Sequence, residues 1–76
     1  MTKDEARREA LRQWRALPVM QRQTFEQAAA FAATIEPTLP FHTVGVRAKI
    51  IAAWLQRDQI ELAAAAEAVR LRSAKV

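Results

Sequence analysis

The chain has 76 residues, no cysteine, one histidine and a formal charge of +4 at neutral pH. That length makes one domain, and a domain this small buries only ~60% of the surface its unfolded chain exposes, so its own core is marginal. Disulfides, thiolate metal sites and a histidine cluster are excluded, which leaves oligomerisation or unusually good helix packing to make up the deficit.

Apolar residues are 51% of the chain, but 17 of them are alanine, the best helix former and a poor source of buried area. One Gly, three Pro and no Tyr point to helices throughout. The expected fold class is all-α: a three-helix bundle with a long C-terminal helix, with bounds near 3–16, 18–35 and 43–73. No apolar run approaches ~18 residues and no signal-peptide core opens the chain, so no membrane contact and a cytoplasmic location are expected. The Ala and Arg usage fits a bacterial protein. The charge is uneven: net +3 over residues 1–22, −2 over 23–46 and +3 over 47–76. Two basic arms with a pI near 10.7 permit contact with nucleic acid but do not require it.

Helix 1 opens on Thr2-Lys-Asp-Glu5, a capping box with acids at the positive end of the helix dipole. Ala6, Ala10, Leu11, Trp14 and Leu17 fall on one face at ~100° per residue. Arg8, Arg12 and Arg15 form a stripe on another. Read functionally, it is a ladder for phosphates. Read structurally, it is a solvated face with Asp4–Arg8, Glu5–Arg8 and Glu9–Arg12 pairs, and this reading is favoured. Arg15 alone has no acid near it in helix 1.

Leu17-Pro18 breaks the chain, and Pro18 suits the first position of a second helix running to Ile35. Its expected seam is Phe25, Ala28, Ala32 and Ile35, widened by Met20 and Phe31. No polar groups converge on those aromatics, so a ligand site there has little support. Residues 36–43 form the one linker, stiffened by Pro37 and Pro40. Leu39 and Phe41 are expected to plug the open end of the bundle, His42 to stay at the surface, and Thr43 to cap the third helix.

The third helix carries a heptad-like seam: Val44, Ala48, Ile51, Leu55, Asp58, Leu62, Ala65 and Val69. Ile50 and Trp54 broaden its first half, and Trp14, Trp54, Phe25 and Ile51 are expected to share one core. Asp58 either fixes register within a continuous helix or, through Asp58-Gln-Ile-Glu61, caps a fourth helix. Lacking Gly or Pro nearby, the continuous helix is favoured. Beyond it, Leu62, Ala66 and Val69 lie on the seam side, while Ile60, Ala64, Ala68 and Leu71 make a second stripe. Arg70, Arg72 and Lys75 gather at the dipole-negative end, where cations are favourable in any case.

No catalytic grouping, glycine-rich phosphate loop or metal-ligand spacing occurs, so no enzyme activity, cofactor, metal or small-molecule substrate is expected. The leading expectation is an interaction module, an adaptor, inhibitor or regulator of the size plasmids and phages encode. Helix 2, at ~27 Å, covers only part of a ~45 Å third helix. The uncovered side chains Leu62, Ala66, Val69 and Leu71 are the expected interface, in a homodimer or with a protein partner. In an antiparallel pair crossing near Ala64, Asp58 would meet the Arg70 region of a second copy. The alternative is a nucleic-acid-binding regulator using Arg8, Arg12 and Arg15, or Arg70 and Arg72.

Overall fold

The computed structural model describes residues 1–74, so Lys75 of the basic tail lies outside the described residues. Three helices, α1 (Lys3–Arg15), α2 (Phe25–Ile35) and α3 (Arg47–Ala74), pack against one another, with single 3-10 turns at Val19–Gln21 and Glu36–Thr38. No strand occurs among the described residues. The molecule measures 49 × 22 × 20 Å, its long dimension set by α3.

The capping box of α1 forms as its sequence requires. Glu5 N donates to Thr2 Oγ1 at 3.1 Å, and Thr2 N donates to Glu5 Oε1 at 3.2 Å. The bonds with Thr2 hold the Glu5 carboxyl below its ordinary range. Ala6, Ala10 and Trp14, spaced four apart, are fully buried. The small side chains let neighbouring helices close over α1, and Trp14 fills the space at its C-terminal end. Its ring tilts against Phe31 of α2 at a centroid distance of 5.6 Å.

The second helix starts later than its sequence pattern suggests, at Phe25 rather than Pro18. A second capping box decides this. Gln27 N donates to Thr24 Oγ1 at 3.0 Å, and the Gln27 Oε1 accepts from Thr24 N at 3.0 Å and Gln23 N at 2.7 Å. The same amide donates through Nε2 to Met20 O, closing the turn onto the helix start. Phe25 therefore sits at the first helical position and is 52% exposed, and Met20 is 78% exposed; neither joins the expected seam. The seam that remains is Ala28, Ala32 and Ile35, all buried, with Phe31 half-buried beside it.

Leu39 and Phe41 do plug the open end, each about 1% exposed. Phe41 lies 5.3 Å from Trp54 between ring centroids. Arg47 Nε donates to Glu36 Oε1 at 2.9 Å and ties the start of α3 to the end of α2. The start of α3 is also later than expected. Gly45 adopts φ +117°, a conformation a helix cannot contain, so residues before Val46 stay outside and Thr43 caps nothing. Val44, expected in the seam, is 97% exposed.

From Arg47, α3 runs unbroken through Asp58, and no fourth helix folds back. Ile51 and Leu55 are fully buried, Ala52 nearly so, and Trp54 is only half-buried. The core thus joins Trp14, Leu39, Phe41, Ile51 and Leu55, with Trp54 at its edge and Phe25 outside it.

Candidate interaction surface

Two polar ties fix where the bundle stops along α3. The first is Asp58, the buried polar residue among those described, at 5% exposure. Arg15 Nη2 donates to its Oδ1 at 2.7 Å, and this bond with Asp58 raises the guanidinium above its ordinary range. Arg15, without an acid in its own helix, thus finds one 43 residues away. The second is Gln59, whose Nε2 donates to Thr24 O at 2.8 Å and Arg22 O at 3.1 Å. Arg22 in turn donates to Leu17 O at 2.9 Å. Together they anchor α3 to the end of α1 on one flank and to the residue 17–24 turn on the other. Asp58 is thus engaged by Arg15 of its own chain.

Beyond Gln59 every described side chain of α3 is exposed. Ile60 is 57% exposed, Leu62 53%, Val69 61% and Leu71 57%. At ~100° per residue, these do not form one strip. Leu62, Ala66 and Val69 continue the line of Ile51 and Leu55 that faces the core. Ile60 and Leu71 lie on the opposite side with Ala64. The expected interface residue Leu71 is therefore separated from Leu62, Ala66 and Val69 by the width of the helix. One further element comes close to the strip. Val19, 65% exposed, lines a shallow groove with Arg22, Gln23, Gln59, Leu62 and Ala63. Its place there depends on the 3-10 turn, which no residue spacing announced.

The arginines singled out as phosphate contacts are dispersed. Arg8 pairs with Asp4 at 3.0 Å. Arg12 Nε donates to Glu9 Oε2 at 2.8 Å, and this contact with help from Gln13 holds the Glu9 carboxyl down to about 2. The expected Glu5–Arg8 pair does not form, since Glu5 is held in the capping box; Arg7 takes the other Asp4 oxygen at 3.2 Å instead. Arg15 turns away from Arg8 and Arg12 into a groove between α1 and α3, with Arg7, Leu11, Trp54, Arg57 and Glu61. The charges there alternate, and Arg57 pairs with Glu61 at 3.3 Å. Arg70 pairs with Glu67. Arg72 is exposed and makes no ion pair with another described residue.

Among the described residues no group of three His, Asp or Glu side chains is arranged to hold a metal ion. No helix among them is long and apolar enough to cross a membrane. Comparison with protein families, curated proteins and solved structures finds no match to this chain.

Proposed function

We propose that this protein is a small non-enzymatic interaction module of the cytoplasm, an adaptor, inhibitor or regulator that engages a protein partner through the free half of α3. The observation that supports this reading is the continuation of the core-facing line of α3 into solvent as Leu62, Ala66 and Val69. A helix end with no neighbour has no need of large apolar residues on that line; Ala, Glu or Lys would hold the helix as well. Covering Leu62 and Val69 from their present half-exposed state would contribute about 1 kcal/mol each. Alanines between them let a partner backbone approach closely.

Nucleic-acid binding is the competing reading. Arg72 at the exposed tip favours it, while the engagement of Arg8, Arg12, Arg15 and Arg70 with acids speaks for the solvated face. Affinity capture from a bacterial lysate with the native chain and with Leu62→Glu/Val69→Glu, identifying both protein and nucleic acid, separates the two. The module reading expects a protein partner lost with the double variant. Capture of nucleic acid alone, released steeply by salt and unaffected by the variant, would overturn it.

A further inference from the structure

The geometry points to a second copy of this chain as the occupant of the Leu62–Val69 strip, in an antiparallel pairing of two α3 helices centred between Ala65 and Ala66. This inference rests on the interaction-module reading and names its partner.

Three observations carry it. The first is the order of side chains along the strip. From the bundle outward it reads large, small, small, large: Leu62, Ala65, Ala66, Val69. That order is unchanged by reversal. In an antiparallel pair each Leu62 lies level with the other chain's Val69, and alanine meets alanine at the centre, where the two backbones can approach to about 8 Å. A two-fold axis through this point closes the assembly at two chains. The second is charge. Glu61 stands at the bundle end of the exposed segment, and Arg70, paired with Glu67, and Arg72 at its tip. Reversal lays each basic tip beside the other copy's acidic end; on the flank that carries Glu61, the cation the second copy brings is Arg72. A parallel pair would set arginine on arginine and glutamate on glutamate. Glu61 already pairs with Arg57 at 3.3 Å, but both are more than 60% exposed, so exchanging that partner costs little. Arg15, whose guanidinium lies close enough to feel Glu61, is held by Asp58 and stays where it is.

The third observation is the seat beside the strip. Val19 and Leu62 line one groove, walled by Arg22 and Gln59. In the reversed register the partner's Val69 arrives level with Leu62 and so beside Val19. The pairing thereby covers an exposed turn residue as well as the helix. It also explains how the free half of α3 is maintained. Most helical stability in proteins comes from packing of an apolar face rather than from propensity, and the second copy supplies that packing beyond Gln59. The opposite stripe of Ile60, Ala64 and Leu71 stays in solvent in this arrangement.

Because the chain has no cysteine, single cysteines report the register directly. Antiparallel pairing brings Ala66 of the two copies within about one residue's rise, whereas the two Val69 positions lie about 10 Å apart along the axis. A disulfide needs Cα atoms within about 7 Å. Oxidation should therefore lock Ala66→Cys into a covalent dimer and leave Val69→Cys unlinked. Sedimentation equilibrium of the native chain at ~100 μM should give a dimer, and Leu62→Glu/Val69→Glu should weaken it ~100-fold or more with the bundle still folded by circular dichroism. A monomeric native chain that still captures another protein through the strip would overturn the self-pairing while leaving the module reading intact. A dimer that survives the double substitution would overturn self-pairing through this strip. Efficient self-linking of Val69→Cys would overturn the antiparallel register.

Discussion

The Arg15–Asp58 pair joins a buried carboxylate to a largely exposed guanidinium, and that asymmetry has a measurable consequence. Asp58 is 6% exposed at its side chain and Arg15 is 58% exposed. Oδ1 accepts from Arg15, whereas Oδ2 is buried and accepts no hydrogen bond. Truncating Arg15 to Ala strips the buried carboxylate of its charged donor, at a cost of about 1.5–3 kcal/mol. Truncating Asp58 releases Arg15 into water it already touches, so its cost should be lower despite the loss of the same bond. Replacing Asp58 with Leu removes the charge and the orphaned oxygen together and sets an apolar side chain next to Leu55 and Leu62. That variant should be neutral or more stable than the native chain, as apolar replacements of buried ion pairs often are. A double-mutant cycle of Arg15→Ala with Asp58→Ala should give a coupling of about 1–2 kcal/mol, above an exposed pair and below a fully buried one. Urea unfolding followed by far-ultraviolet circular dichroism measures all four species, with tryptophan fluorescence testing for a single transition. A coupling under about 0.3 kcal/mol, or a larger loss from Asp58→Ala than from Arg15→Ala, would refute the reasoning. The pair would then be an ordinary surface contact.

The two tryptophans should respond differently. Trp14→Ala is expected to cost about 3–5 kcal/mol and to unfold so small a domain at room temperature, whereas half-buried Trp54→Ala should cost roughly half as much and leave a folded chain by thermal melting. Gly45→Ala should destabilise by about 1 kcal/mol through backbone strain alone, because a Cβ there meets no atom within 4 Å but φ is +117°; Thr24→Ala should cost a similar ~1 kcal/mol by removing the cap of α2. Glu9 should titrate by NMR near 2 rather than its ordinary 4.5. Since its folded pKa is depressed, the stabilisation it gives is complete above about 4.5 and lost as pH falls toward 2, and Arg12→Ala should move the midpoint back up.

The sequence by itself determined the helical class, the α1 capping box, the faces bearing Ala6–Ala10–Trp14 and Ile51–Leu55, the plug of Leu39 and Phe41, and an uninterrupted α3. Each follows from local chemistry or from a period that neighbours along the chain can read. Tertiary structure decided the rest. Whether α2 began at Pro18 or Phe25 turned on Gln27 reaching back to Thr24 and Met20, a choice between two locally acceptable starts. Thr24-Phe-Glu-Gln27 has the spacing of a capping box, the local signal that marks this later start. Gly45 could have sat harmlessly in a first helical turn; only the path from the Phe41 plug to α3 demanded its positive φ. That Arg15 belongs with Asp58 could not be read from either helix, because a pair 43 residues apart is set by the packing of α1 on α3. The split of Leu71 from Leu62, Ala66 and Val69 was present in the period of the helix. Which of the two stripes continues the core became evident only once the bundle had fixed the direction in which Ile51 and Leu55 face.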